Sequence, residues 1–140
     1  MAGIRQFEDI EAWRKARALA AAVYGLTLDG PCVRDFGLRD QIRRAAVSVM
    51  ANIAEGFERA GDREFHQFLR VAKGSCGELR SHLWVALDQG YLSAAQHREA
   101  SQRAIEISRM LAGLMRHLRE SGRPGERPTW VRHPRAPLPG

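Results

Sequence analysis

The chain has 140 residues, and its 22 lysines and arginines outnumber its 16 aspartates and glutamates, which gives a formal net charge of +6 at pH 7. A chain of this length forms one domain by default. The longest apolar run, residues 18–24, is too short to span a bilayer, and the first residues do not resemble a signal peptide. We therefore expect a soluble, cytoplasmic protein with no membrane partner. The basic excess permits binding to nucleic acid, an anionic membrane or an acidic protein, and selects none of them.

The spacing of apolar residues predicts two helices in the first part of the chain. The first spans residues 10–27, with Asp9 as its N-cap. Gly30 and Pro31 mark a turn, and an irregular segment leads to the second helix, residues 38–58. This second helix has apolar side chains on two adjacent strips. It is therefore either central in the monomer or partly in contact with another subunit.

The third predicted helix spans residues 62–89, with Asp62 as its cap and Gly90 at its end. Apolar residues recur along it at alternating spacings of four and three. We call them the apolar seam: Phe65, Leu69, Ala72, Cys76, Leu79, Leu83 and Ala86. Such a seam indicates a helix that packs against its neighbours at a shallow angle, as in a bundle.

The same helix carries a second row of side chains about a third of a turn from the apolar seam. We call it the basic stripe: Arg63, His66, Arg70, Lys73, Gly77, Arg80 and Trp84. One helix thus presents an apolar side and a basic side. We interpret Trp84 as a core or interface residue in preference to a stacking platform, and Gly74 and Gly77 as points of close helix packing.

Ser93 is predicted to cap a fourth helix that ends near residue 120. Short loops between long helices imply antiparallel neighbours. The predicted fold class is therefore all-α, an antiparallel up-down four-helix bundle over residues 1–120.

Residues 121–140 contain five of the six prolines and show no apolar periodicity. This composition predicts a disordered basic tail. The tail is either an inert terminus or an arm that docks on a partner or on nucleic acid. In the second case Trp130 would stack on a base, and phosphates would be bound by Arg127, Arg132 and Arg135.

Three sequence motifs carry a family resemblance. They are QIRRAAVSVMANIAEG at residues 41–56, GSCGEL at 74–79 followed by GYL at 90–92, and the opening FEDIEAW at 7–13 with Lys15 and Ala16. Their order and sequence resemble the four-helix bundle family of 23S rRNA intervening-sequence proteins. The resemblance covers residues 5–118 and excludes the tail.

The resemblance implies an all-helical protomer that assembles as a ring-like homopentamer. A related branch comprises the accessory variability determinants of diversity-generating retroelements, which are basic pentameric bundles that bind nucleic acid and a reverse transcriptase. RNA, DNA and a reverse transcriptase are therefore expected partners. The family often has proline where this chain has Met50, so we expect a straighter second helix here.

Asn52, Glu55 and Gly56 form the most distinctive motif of the second helix. Polar groups on a largely apolar helix must find partners, because leaving them buried and unbonded costs about 1–3 kcal/mol. We favour a structural role, in which Asn52 and Glu55 bond to another helix or its turn. Glu55 would then pair with Arg44, Arg59 or a residue of the third helix. A role in ligand binding or catalysis is the alternative.

Basic side chains of the second and third helices are the best candidates for a nucleic-acid-binding site. They are Arg43, Arg44, Arg59, Arg63, Arg70, Lys73 and Arg80. Symmetry would repeat them around a ring, where weak phosphate contacts add by multivalency. Alternatively they form a solvated face, or intersubunit salt bridges to Glu64, Glu78 or Glu106.

The sequence offers no catalytic constellation, so we predict a protein without enzymatic activity, cofactor or metal. Di-iron bundles need Glu-x-x-His on two helices, and no such spacing occurs here. Cys32 and Cys76 are far apart and are predicted to be reduced thiols.

The leading functional hypothesis is a non-enzymatic homo-oligomeric bundle that binds nucleic acid, as an accessory to RNA or to reverse transcription. The alternative is a structural or protein-interaction module whose charged faces serve only self-assembly and a protein partner.

Overall fold

A computed structural model of the chain describes residues 3–59 and 61–121. Four α-helices follow one another in these ranges: α1 Glu11–Leu26, α2 Phe36–Glu58, α3 Asp62–Asp88 and α4 Ala94–Ser121. Two 3₁₀ turns, Phe7–Asp9 and Pro31–Arg34, precede α1 and α2. The predicted all-α fold with four helices is confirmed. The predicted tail, including Trp130 and its arginines, lies outside the described residues from position 122 onward.

One hydrophobic core runs between the four helices. α1 and α3 each pack against both α2 and α4. Every residue of the apolar seam of α3 is 1 % exposed or less. Burying each large apolar side chain contributes about 1.5–3 kcal/mol, so this seam fixes how α3 is rotated in the bundle. Among the residues described, no helix combines the length and apolar character that a membrane span requires.

The start of α1 differs from the prediction. The Asp9 carboxylate accepts backbone N–H groups of Arg5 at 2.9 Å and Gln6 at 3.2 Å. It therefore closes the preceding 3₁₀ turn, while Ile10 occupies the N-cap position of α1 without a side-chain hydrogen bond. The expectation that Asp9 caps α1 is wrong, because this turn places Asp9 one residue too early.

The other helix ends mostly follow the sequence. Gly90 has φ of +76°, as expected for a glycine that ends a helix. The Ser93 hydroxyl accepts the Gln96 N–H at 3.1 Å and caps α4 as predicted. Asp62 differs: it is the first residue of α3 and is buried, and Gly61 at φ +100° takes the cap position.

Gly56 is where α2 lies directly against α3. A Cβ at this position would stand 2.6 Å from the Phe68 Cβ and 3.0 Å from the Phe65 Cδ1. The Phe68 Cβ is bonded to the backbone, so only a shift of the helices could make room for a side chain. Gly74 and Gly77 differ, because a Cβ at either would meet nothing within 4 Å. The expectation that both are close-packing points is wrong in this chain, since α3 turns them outward.

Asn52 and Glu55 find their described partners on α2 and at its C-cap Arg59, so the expected direct bonds to another helix are not formed among the described residues. The Asn52 side-chain amide donates to the Ser48 carbonyl at 2.8 Å and to the Ser48 hydroxyl at 3.0 Å. That hydroxyl lies 2.8 Å from the Ser75 hydroxyl of α3, so Asn52 reaches the next helix only through Ser48. Glu55 pairs with Arg59, one of the three partners considered, at 2.9 Å. α2 continues through this region without interruption.

We expect Gly56→Ala to lower the free energy of unfolding by about 1–3 kcal/mol, because the added methyl group overpacks the α2–α3 contact. Gly77→Ala is the matched control. It adds the same group in open space and should raise stability by up to about 1 kcal/mol through helix propensity. Urea denaturation of both variants measures the difference. A neutral or stabilising Gly56→Ala would contradict the close contact.

Candidate nucleic-acid interface

The seven basic residues predicted as a site do not share one hollow in the bundle. Arg43 and Arg44 of α2 line a hollow of about 460 Å³ beside Tyr24 of α1. Arg70 and Lys73 of α3 line a different groove, against α4. Because α1 and α3 flank α2 and α4 from different sides, these pairs of cations cannot act at one phosphate.

Arg43 is held at the end of α1. Its Nε donates to the Thr27 hydroxyl at 2.8 Å, and its Nη2 donates to the Thr27 carbonyl at 2.9 Å. Its guanidinium lies 4.6 Å from the centroid of the Tyr24 ring. Thr27 is the C-cap of α1, where a cation is favoured by the helix dipole. These contacts give Arg43 a structural role that joins α2 to α1.

Arg59 is also engaged, but loosely. It pairs with Glu55 in an ion pair whose side chains are 52 % and 53 % exposed, and it lies 5.3 Å from the Phe68 ring centroid. Exposed pairs of this kind contribute about 0.2–1 kcal/mol, so Arg59 can exchange partners. Five predicted residues are exposed and form no ion pair within the described part of the chain: Arg44, Arg63, Arg70, Lys73 and Arg80.

A groove between α3 and α4 brings cations from both helices together. We call it the α3–α4 groove; it has a volume of about 440 Å³ and is lined by Arg70, Lys73, Gly74, Ala112, Met115 and Arg119. Three of these residues are cations and none is a carboxylate. Within the described ranges, none of the three cations forms an ion pair. Like charges held close together repel, so this groove favours an anion.

His66 lies in the field of the groove cations. Burial, followed by the positive charges of Arg119 and Arg70, lowers the pKa of His66 below its ordinary value. Its Nε2 is buried and has no hydrogen-bond partner among the residues described. His66 is therefore neutral at pH 7, and this member of the basic stripe adds no positive charge.

Arg119 is not among the site residues predicted from the sequence, because only the apolar side of α4 was considered there. Arg98, Arg109 and Arg116 of α4 are also exposed, and no described residue forms an ion pair with them. At about 100° per residue, their positions place all three on one side of the helix. That spacing was the signal that could have identified a second row of cations.

The outer side of α4 also has a hollow of about 550 Å³, but its charges are mixed. Two carboxylates line it, and both are already engaged. Glu99 pairs with Arg103 at 3.2 Å, and Glu106 pairs with Lys15 of α1 at 2.7 Å. This hollow is therefore less selective for anions than the α3–α4 groove.

Neither cysteine is a candidate nucleophile. Cys32 and Cys76 are both buried and free, as predicted. Burial raises the pKa of the Cys76 thiol to about 11, so it stays protonated at neutral pH. Over residues 3–59 and 61–121, no three His, Cys, Asp or Glu side chains cluster in a way that could hold a metal ion.

The family described as 23S rRNA-intervening sequence protein matches residues 8–113 of the chain. The chain belongs to this family. Its fold is similar to the crystal structure of a protein of unknown function from the S23 ribosomal protein family of Bacteroides thetaiotaomicron, with a TM-score of 0.69 and 20 % identity. That similarity covers 74 % of this chain and 97 % of the other, and it shows a shared fold alone. Among curated proteins, none matches.

We expect the His66 pKa to rise when an anion enters the α3–α4 groove, because the anion offsets the charges of Arg70 and Arg119. NMR titration of the imidazole in the free protein should give a pKa below 6.5. Saturating inorganic phosphate should move it back toward that value. A free-protein pKa at or above 6.5 would contradict the geometry described here.

His66→Gln removes the imidazole, so the NMR signal that disappears in this variant is that of His66. The same variant is the control for the pH dependence of stability. Because the pKa of His66 is lower in the folded than in the unfolded chain, the unfolded chain binds more protons at acidic pH. The free energy of unfolding therefore decreases as pH falls below about 6.5. In His66→Gln, the free energy of unfolding should lack that part of the pH dependence.

Proposed function

We propose that this protein is a non-enzymatic, homo-oligomeric helical bundle that binds nucleic acid through the α3–α4 groove. The observation that supports this proposal is the meeting of Arg70, Lys73 and Arg119 without a carboxylate. Phosphate oxygens accept charge-assisted hydrogen bonds from arginine and lysine side chains. Such contacts position a strand and read little of its sequence.

The distribution of charge favours a polyanion over a small ligand. The cations of α3 run from Arg63 to Arg80, a distance of about 26 Å at about 1.5 Å per residue. On α4, the exposed Arg116 lies three residues before Arg119 of the groove, whereas Arg98 and Arg109 line the outer hollow. A line of cations of this length matches a chain of phosphates, whose bound counterions are released on binding.

Self-association is part of the proposal. Val71 and Val85 of α3 are 53 % and 44 % exposed, and Val47 of α2 is 40 % exposed. We infer that these side chains contact other copies of the chain. The family resemblance suggests five copies in a ring. A ring would repeat the groove and add its weak contacts by multivalency.

A reverse transcriptase is a further proposed partner, on the resemblance to retroelement accessory proteins. The competing function is a structural or protein-interaction module whose charged faces serve only self-assembly and a protein partner. The pairs Lys15–Glu106 and Arg103–Glu99 show only that some exposed cations are matched to carboxylates within the protomer.

We expect Arg70→Glu combined with Lys73→Glu to weaken RNA and DNA binding at least tenfold, and about equally for all sequences. Each lost phosphate contact should also reduce the slope of log K against log salt by about 0.7–0.9. Fluorescence anisotropy from about 50 to 200 mM salt measures both. Arg14→Glu combined with Arg17→Glu is the matched control, because it makes the same charge change on α1, outside the groove.

Equal losses in the two double variants would show that only net charge matters, and would contradict the groove as the site. Absence of binding to any nucleic acid at about 50 mM salt would remove the proposed function itself.

Multi-angle light scattering tests the oligomer. We expect a particle of five times the 15.7 kDa protomer mass at micromolar concentration. Val71→Glu should shift it toward the monomer if α3 forms the contact. A wild-type monomer would contradict this part of the proposal and leave the groove prediction standing.

A further inference from the structure

Trp84 is a member of the basic stripe that the core does not use. Trp84 is 54 % exposed in the protomer, so of the two interpretations, core or interface residue, the core interpretation is wrong. The centroids of the Trp84 and His97 rings are 4.3 Å apart, with 50° between the ring planes. One part of the indole is thus supported by α4, and the rest faces solvent.

Trp84 packs against a buried residue of α4. His97 is only 7 % exposed, and its Nε2 lies 3.4 Å from the Ser101 hydroxyl. A buried ring on one helix therefore holds an exposed ring on another. Aromatic rings that are fixed in place and open on one side are the platforms on which unpaired bases stack. Binding to such a ring has a low entropic cost, because the aromatic side chain has few torsion angles left to fix.

One nucleic-acid strand can reach both the groove cations and Trp84. Arg70 and Trp84 are separated by about 21 Å along α3, at about 1.5 Å per residue. A strand whose bases rise about 3.4 Å each would cover that distance with about six nucleotides. Arg80 lies between them and can contact the backbone on the way. A strand with phosphates in the α3–α4 groove can therefore place a base on Trp84.

We propose that Trp84 is a stacking platform for an unpaired base, so that this surface selects single-stranded over double-stranded nucleic acid. This inference rests on the proposed function and names its substrate class. In a duplex the base faces are covered by neighbouring base pairs, and Trp84 has nothing to stack on. In a single strand of RNA or DNA every base offers a face, so the preference is tolerant of sequence.

The test uses the full-length chain with three probes of about 12 nucleotides: oligouridine, oligodeoxythymidine and a DNA duplex. We expect both single strands to bind more tightly than the duplex. Trp84→Leu keeps the apolar contact with His97 and removes the indole ring. It should weaken single-strand binding by roughly 5- to 100-fold, and change duplex binding by less than about twofold. Trp84→Phe should retain most of the affinity, because it keeps an aromatic face.

Tryptophan fluorescence gives an independent readout. Single strands should quench the wild type, and Trp84→Phe should lose that quenching although Trp13 and Trp130 remain. The RNA and DNA arms identify the natural strand, since a 2′-hydroxyl contact favours RNA. Tighter binding of either the RNA or the DNA single strand than of the duplex supports the stacking platform.

Three results would overturn the inference, and they can be told apart. If no probe binds at about 50 mM salt, the proposed function fails as well. If single strands and duplex bind equally and Trp84→Leu has no effect, only the platform fails. If Trp84→Leu changes the particle mass, Trp84 is covered by another copy of the chain and is not available to a base.

Discussion

Helix geometry places the apolar seam and the basic stripe of α3 about a third of a turn apart, and the rest of the molecule depends on that angle. The seam packs between α2 and α4, which leaves α3 one rotation in the bundle. At that rotation Arg70 and Lys73 can only lie beside α4, next to Arg119. Burial of seven seam residues outweighs the repulsion of a few exposed cations, which is screened beyond about 8–10 Å.

Much of the fold could be predicted because its determinants are local. A period of 3.6 residues defined the helices, and Gly90 and Ser93 marked where α3 ends and α4 begins. The start of α1 was less predictable. There the Phe7 and Trp13 rings meet at 5.1 Å and a 3₁₀ turn takes up Asp9, a tertiary arrangement that apolar spacing does not reveal. The role of the glycines could not be predicted from local spacing either. Only the packing of the helices distinguishes Gly56, which is crowded, from Gly77, which is open.

The candidate site could be predicted only in part. Periodicity placed Arg70 and Lys73 on one side of α3, but it could not show which helix would face them. Arg43 looked equivalent from its charge and position, yet Thr27, sixteen residues earlier, binds its guanidinium. A charge pattern indicates which cations are on the surface. Partners distant in sequence decide which of them remain available.

Locating a bound strand on the protein tests the groove most directly. A photoreactive single-stranded oligonucleotide can be cross-linked to the full-length chain, and the modified peptides identified by mass spectrometry. We predict cross-links on α3 and α4, near Trp84 and along the groove at Met115. Cross-links confined to α1, to the hollow beside Arg44 or to residues 122–140 would contradict a binding surface built on α3.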